Sequence, residues 1–317
     1  MKILVTGGCG FIGSHVVDAY IQKGYEVVVV DNLSTGKKEN LNAKARLYIT
    51  DIGSEEMKKI FYRENPDVVN HHAAQISVPL SVKDAFYDAE ININGTLRLL
   101  ELSRQYGIQK FIFASTGGAI YGEASEIPTD ETYYPQPASP YAISKFAAEK
   151  YILFYHDYHS IPSIILRYSN VYGPRQIPHG EAGVVAIFTE KLLGEEEATL
   201  YHFPEEPRGM IRDYCYVADI AQANLMATEK EITGIFNIGT GKGTHTYDLY
   251  KTILNLIRKK GRSHAALFDE PRRGIARPGD IHASILNVQK AEDMLGWKAL
   301  TDLTTGIAET IAWYMKE

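Results

Sequence analysis

The chain opens on an apolar, β-branched run, Ile3-Leu4-Val5, that stops at Thr6-Gly7-Gly8-Cys9-Gly10. Apolar residues then recur at helical spacing (Phe11, Ile12, Val16, Val17, Tyr20) until Lys23-Gly24 closes the segment. That change of period predicts a buried strand, a tight turn and an amphipathic helix. The pattern repeats: Glu26-Val27-Val28-Val29-Val30, Arg46-Leu47-Tyr48-Ile49-Thr50, Asp67-Val68-Val69-Asn70-His71 and Lys110-Phe111-Ile112-Phe113-Ala114 read as further strands, with a long helix expected from about 84 to 106. Strands apolar on both faces, alternating with helices, predict an α/β fold with a parallel, doubly wound sheet. Beyond about Val171 the alternation weakens and Pro and Gly multiply. A smaller α+β part is expected there, with a return to the sheet near 234–238. On this reading residues 1–170 plus roughly 213–240 form the sheet domain, and 171–212 with 241–317 the smaller one.

The glycines of the first turn have separate physical reasons. Gly7 can take a turn conformation closed to other residues, Gly10 lets the backbone approach a bulky anion, and Gly13 lets helix and strand pack closely. The anion would rest on the free N–H groups at the helix N-terminus. Asp31 ends the second strand 18 positions after Gly13, where a dinucleotide fold needs a carboxylate for the adenosine ribose hydroxyls. Its charge disfavours a 2′-phosphate, so NAD is expected over NADP, a preference that Lys37 and Lys38 soften. Asp51 could touch adenine or simply cap the following helix. The small residues of His72-Ala73-Ala74-Gln75 would let a loop close over a pyrophosphate.

Composition excludes more than it assigns. The 317 residues carry a formal charge of −6 with no long single-sign run, which argues against nucleic acid or an acidic membrane surface as partner. Cys9 and Cys215 are the only cysteines; they have no metal-ligand spacing, and no metal is expected. Two isolated thiols suit a reducing cytoplasm. No signal peptide and no membrane span are expected, because no apolar run approaches the ~18 residues that a bilayer needs.

The fifth strand runs into Ser115-Thr116-Gly117-Gly118, and Ser139-Pro140-Tyr141-Ala142-Ile143-Ser144-Lys145 opens a helix further on. Ligands of such sheets bind at the carboxyl ends of strands, so the two hydroxyls should face the cofactor crevice. Tyr141 and Lys145 stand at i and i+4, on one helix face. A cation beside a phenol lowers its pKa from about 10, producing a base for a sugar or alcohol hydroxyl.

These motifs together resemble the extended short-chain dehydrogenase/reductases, and within them the UDP-glucose (UDP-galactose) 4-epimerases. The resemblance spans essentially the whole chain. It is carried by Thr6-Gly7-Gly8-Cys9-Gly10-Phe11-Ile12-Gly13, Asp31-Asn32-Leu33-Ser34-Thr35-Gly36, Tyr141-x-x-x-Lys145, Arg167-Tyr168-Ser169-Asn170-Val171-Tyr172-Gly173-Pro174, Arg212-Asp213-Tyr214 and Arg277-Pro278-Gly279-Asp280. It implies a Rossmann sheet and a tightly held NAD that oxidises C4 of a nucleotide sugar and then returns hydride to the other face. The NAD contacts it implies are Gly7, Gly10, Phe11, Ile12, Gly13, Asp31, Asn32, Ser34, Thr35, Gly36, Asp51, Ile52, His72, Ala73, Ala74, Gln75, Asn92, Ser115, Tyr141, Lys145 and Tyr168. Tyr141 would take the 4-hydroxyl proton, assisted by Thr116. Ser115 is a rival, because Thr116 to Tyr121 is five residues where many relatives have four. The absence of acids after Thr116 disfavours dehydration.

The same resemblance implies that Arg212 and Arg277 grip the UDP diphosphate, with Asn170 adding a hydrogen bond. Both arginines could equally form surface salt bridges. Asp280 would meet the ribose, Leu200-Tyr201-His202-Phe203 would pass beside uracil, and Gln75, Val184, Val185 and Tyr214 would complete the sugar-nucleotide pocket. Restricted epimerases carry Tyr where this chain has Ser284, so UDP-N-acetylglucosamine and UDP-N-acetylgalactosamine are expected as further substrates. A UDP-glucuronate 4-epimerase or decarboxylase is the alternative, with Arg175, Arg272 or Arg273 holding a carboxylate; a catalytically silent NAD-binding scaffold is another. A homodimer through helices near 85–106 and 141–160 is implied, with Tyr151, Phe154, Tyr155 and Tyr158 as an apolar stripe; that stripe could instead pack into its own core.

Overall fold

The computed structural model describes residues 1–178, 183–261, 268–277 and 279–316. Its strands in chain order are β1 (Lys2–Thr6), β2 (Glu26–Asp31), β3 (Arg46–Ile49), β4 (Val68–His71), β5 (Lys110–Thr116), β6 (Ser163–Tyr168) and β7 (Asn170–Tyr172). There follow β8 (Thr199–His202), β9 (Ile211–Tyr216), β10 (Gly234–Ile238), β11 (Gly243–His245), β12 (Arg272–Ile275) and β13 (Ala283–Ser284). The helices are α1 (Phe11–Gln22), α2 (Glu56–Glu64), α3 (Val78–Lys83), α4 (Ala85–Ala89), α5 (Gly95–Gln105) and α6 (Gly117–Ile120). The second half adds α7 (Pro140–His159), α8 (Val184–Leu193), α9 (Val217–Glu229), α10 (Thr246–Lys259) and α11 (Leu303–Tyr314).

Seven strands form one wholly parallel sheet in the order β10-β6-β5-β4-β1-β2-β3. Side-chain alternation explains why both faces are covered. Ile3, Val5, Val27 and Val29 join a core with α1, α9 and Trp297 on one face. Leu4, Val28 and Val30 join a second core with α2, α5 and α7 on the other. This is the doubly wound sheet expected, and its order reverses between β1 and β4, where such sheets open a ligand crevice.

A smaller layer covers that crevice. The N-terminal half of β9 pairs with β11 and β13 and its C-terminal half with β7, while β8 pairs with β12. Its core joins Tyr172, Tyr214 and Tyr216 to the apolar faces of α8, α10 and α11. The chain returns to the large sheet through α9 and β10.

The long helix expected from about 84 to 106 is not uniform. Asp84 caps α4 through Tyr87 N–H, a π-turn occupies Glu90–Asn94, and only then does α5 begin. The widened turn carries the Asn92 amide to the Gln75 main chain, accepting from its N–H at 2.9 Å and donating to its carbonyl at 3.0 Å. π-Turns inside helices frequently mark functional sites. The aromatic stripe divides between the two outcomes left open for it: Tyr155 is buried with its hydroxyl on Glu101, whereas Tyr151, Phe154 and Tyr158 remain exposed. Among the described residues no helix is long and apolar enough to cross a membrane.

Candidate active site

The glycine turn is shaped by contacts that leave no room for a Cβ. Gly7 has φ +69°, and a Cβ there would lie 2.7 Å from Ala73 N; a Cβ on Gly13 would lie 2.2 Å from the Gly7 carbonyl oxygen. At Gly10 the only close atom is that same oxygen, at 3.2 Å. Gly10 therefore faces space that a ligand can use, while Gly7 and Gly13 are needed by the backbone itself.

Asp31, at the end of β2, accepts Cys9 N–H at 2.9 Å and Leu33 N–H at 2.8 Å, one on each carboxylate oxygen. Each oxygen keeps a further lone pair for a ribose hydroxyl. Gly36 packs on this carboxylate so closely that a Cβ would stand 2.9 Å from it. Burial pushes the Cys9 thiol up to about 12, and the cysteine takes no part in chemistry.

These residues line a cavity of about 870 Å³. Its wall includes Gly7, Gly10, Phe11, Ile12, Gly13, Asp31, Asn32, Ser34, Thr35, Gly36, Asp51, Ile52, His72, Ala73, Ala74, Gln75, Ser115, Tyr141, Lys145 and Tyr168. Of the expected cofactor residues only Asn92 is absent from it, because its amide is spent on Gln75 and Asp88. The donor set fits a dinucleotide: a turn cradling an anion, a carboxylate at the ribose position and small residues opposite. Sequence reasoning missed Gln176 and named Arg175 only as a candidate for a sugar carboxylate; both reach the wall of the larger cavity from the turn after β7. Arg175 is held against α1 by an ion pair with Asp18 at 2.8 Å. Only the topology brings that turn beside α1.

A second cavity of about 280 Å³ adjoins the first and shares Phe11, Ile12, Ser115, Tyr141 and Tyr168 with it. Thr116, Asn170, Val184, Val185 and Tyr214 line it as expected. Tyr141 thus stands where the two cavities meet. Thr116 lies close enough to the Tyr141 hydroxyl to lower its proton affinity, whereas Ser115 Oγ donates to Glu149 at 2.5 Å. The neighbouring hydroxyls alternate faces at the end of β5, and only Thr116 is left on the side of the phenol.

The electrostatics differ from the simple Tyr–Lys pair. Burial, with Asp88 adding to it, pushes the Tyr141 phenol up to about 12, and the nearby Thr116 hydroxyl only partly offsets this. Burial pulls the Lys145 amine down to about 7 against Glu149 and Asp88, which raise it. Its Nζ sits 4.0 Å above the Phe113 ring. Desolvation is the largest influence on both groups. Burial also keeps His72 neutral at about 3, and its ring stacks on Tyr168.

Behind the site lies a buried ion pair. Arg167 donates to Glu149 through Nη2 (2.6 Å) and Nε (3.0 Å) and to Tyr121 Oη at 2.9 Å. Both partners are almost fully buried. Arg167→Met would leave the Glu149 charge alone, so a loss of about 3–5 kcal/mol is expected in chemical denaturation. Arg167→Lys should recover little, since an ammonium cannot reproduce the two-pronged contact.

The remaining expected substrate residues form a separate cluster that lines neither cavity. The Leu200 side chain is fully buried in the core, leaving only its backbone to offer. The Arg212 guanidinium turns onto the Ile281 and His282 carbonyls, at 2.8 and 3.4 Å. Arg277 lies over the Tyr201 ring at 4.6 Å and pairs with Asp280 at 3.4 Å. Phe203 stacks on His282, and Ser284 pairs in register with Arg212. Pro278 of the Arg277 motif lies outside the described residues. Arg272 and Arg273, on β12, line neither cavity. Among the described residues no group of His, Cys, Asp or Glu is arranged to hold a metal ion.

A parallel sheet with a glycine turn, a carboxylate at the end of its second strand and a Tyr–Lys pair beside a second cavity defines a nucleotide-dependent enzyme of the short-chain dehydrogenase type. The chain belongs to the NAD dependent epimerase/dehydratase family, whose model matches residues 3–239. It is 48% identical to the UDP-glucose 4-epimerase of Thermotoga maritima solved with UDP-glucose, with TM-score 0.93 and coverage of 100% of this chain and 99% of that one. It is 43% identical to the Thermus thermophilus UDP-glucose 4-epimerase solved with NAD, with TM-score 0.91 and 99% of both chains covered. A putative UDP-glucose 4-epimerase of Methanocaldococcus jannaschii is 44% identical over 98% of this chain and 97% of its own length.

Proposed function

We propose that this protein is an NAD-dependent UDP-glucose 4-epimerase, interconverting UDP-glucose and UDP-galactose through a 4-keto sugar. The observation that carries this reading is the position of Tyr141, beside Thr116, at the junction of the two cavities. The larger cavity takes the cofactor and the smaller takes the sugar. When bound, NAD supplies a reversible hydride acceptor for C4. The chain's own residues do the rest. Asp31 holds the adenosine ribose, and the Gly7–Gly13 turn offers N–H groups to the pyrophosphate. Thr116 passes the 4-hydroxyl proton to Tyr141, and Lys145 keeps a cation near the phenol. Arg212, Arg277 and Asp280 hold the nucleotide end, and Asn170, Val184, Val185 and Tyr214 enclose the sugar. A carboxylate-bearing sugar is disfavoured because Arg175, the one of the three candidate arginines that lines the larger cavity, is paired with Asp18.

Because the same hydride leaves and returns, UDP-glucose carrying deuterium at C4 should yield UDP-galactose with the label still at C4. Mass spectrometry of the product reads this directly. Label lost to water would overturn the reading.

We further propose that N-acetylated UDP-sugars are accepted, since Ser284 beside Arg212 is small. Ser284→Tyr should lower turnover of UDP-N-acetylgalactosamine at least about tenfold relative to UDP-galactose. Equal losses on both would contradict it. The protein is further proposed to be a cytoplasmic homodimer. Phe86 (91% exposed), Tyr158 (73%), Val82, Ile143 and Phe154 leave an apolar surface across α3, α4 and α7, the kind of surface that a partner covers. Phe154→Arg should convert the dimer to a monomer in light scattering; an unchanged mass would exclude this surface.

A further inference from the structure

Asp88 is a fully buried carboxylate between the π-turn and the redox centre. Its Oδ1 accepts Gln75 Nε2 at 2.7 Å and Asn92 Nδ2 at 3.0 Å. Its Oδ2 is buried and has no hydrogen-bond partner among the described residues. Gln75 lines the cofactor cavity, and its main chain is clamped by the same Asn92. One carboxylate therefore anchors the side chain of a wall residue directly and its main chain through Asn92, and leaves a second, buried oxygen without a hydrogen-bond partner among the described residues.

A buried carboxylate without a cationic hydrogen-bond partner is costly unless charge nearby compensates it. Asp88 lies within electrostatic reach of both Tyr141 and Lys145 and raises the proton affinity of each. The other titratable groups facing Lys145 are Glu149, which pairs with Arg167 and also raises the Lys145 proton affinity, and the neutral imidazoles of His71 and His72. Across the α4–α7 contact, the Lys145 ammonium is the cation within electrostatic reach of Asp88.

We propose that Asp88 is a positioning residue of the redox centre: its Oδ1 fixes Gln75 against the cofactor cavity, and its buried, unpartnered Oδ2 sets a fixed negative charge on the side of α4 that packs on α7, the helix of Tyr141 and Lys145. This rests on the epimerase reading for its activity readout only. The carboxylate does not touch substrate.

Asp88→Asn keeps an acceptor for Gln75 and removes the charge. Both limbs of the kcat/KM profile against pH should then move to lower pH by about one unit, the low end of what a nearby charge does. Removing a negative charge lowers the proton affinity of Tyr141 and of Lys145 alike, so the limb that each one sets moves in the same direction. A purely structural role would lower the amplitude and leave the limbs in place, which would overturn the proposal. Asp88→Leu also removes the Gln75 anchor and should reduce the NAD released from denatured purified protein; full retention would overturn that half. The Tyr141 phenolate absorbance, read in the holoprotein as the difference from Tyr141→Phe, should shift in the same direction in Asp88→Asn. This titration needs no turnover, so an inactive wild type would sink the epimerase reading while still testing Asp88. Should Asp88→Asn fold poorly, Asp88→Ser must move the titration the same way or the proposal fails.

Discussion

Tyr141→Phe is expected to lower kcat for UDP-galactose by about 10³-fold, within the range that one positioned acid–base group supplies. Phenylalanine fills the same volume, so the fold, the two cavities and the bound NAD should persist. Only the proton acceptor at their junction is lost. The pH dependence follows from the direction of the shift. Burial and Asp88 hold the phenol up near 12, so the protein alone keeps Tyr141 protonated at neutral pH. The base form grows as pH rises, and the acid limb of kcat/KM should climb with pH in the wild type and vanish in Tyr141→Phe. Steady-state rates across pH, with NAD content measured on the same preparations, check both statements. Unchanged turnover would remove Tyr141 from the chemistry.

Gly13→Val should produce protein without cofactor. A Cβ at this position meets the Gly7 carbonyl oxygen at 2.2 Å, the Gly7 carbonyl carbon at 2.9 Å and Gly8 Cα at 3.1 Å. These are backbone atoms of the turn itself, and the turn must deform to admit the side chain. Overpacking of this kind costs about 1–3 kcal/mol. The larger effect is lost linkage: a ligand present at a thousand times its Kd contributes about 4 kcal/mol to stability. Wild-type protein should therefore melt well above Gly13→Val, and added NAD should not close the gap. Gly10→Ala, with 3.2 Å to its nearest atom, is the milder comparison and should weaken retention without abolishing the fold. Comparable retention in Gly13→Val and wild type would contradict the role of the turn.

The parts of this site that could be read without coordinates are the local ones. Gly7, Gly10 and Gly13 work through the turn they occupy, Asp31 through its place at the end of β2, and Tyr141 with Lys145 through one turn of α7. In each case sequence spacing is spatial spacing. The parts that could not be read depend on register and burial. Ser115 and Thr116 are equivalent as sequence, and only the pleat of β5 against α7 sends one hydroxyl to Glu149 and leaves the other beside Tyr141. Desolvation reverses the simple expectation for the Tyr–Lys pair, and no spacing encodes it. Asn92 sits near the cofactor in sequence logic yet acts one layer back, through Gln75. Tyr155 reads as one more member of an exposed aromatic stripe, but Glu101 on α5 takes its hydroxyl inside. Arg212 and Arg277 were legible as a pair of motifs, while their guanidinium groups rest on carbonyls, Tyr201 and Asp280 and not on a cavity wall.

The central claim is that NAD is held, reduced and reoxidised within one catalytic cycle in the site around Tyr141. It is tested most directly by supplying the purified, extensively dialysed protein with UDP-galactose and no added cofactor. The account predicts conversion to a mixture with UDP-glucose, and about one NAD released per chain when the protein is then denatured. Protein that releases no NAD yet turns over, or that carries NAD and converts neither sugar, would contradict it.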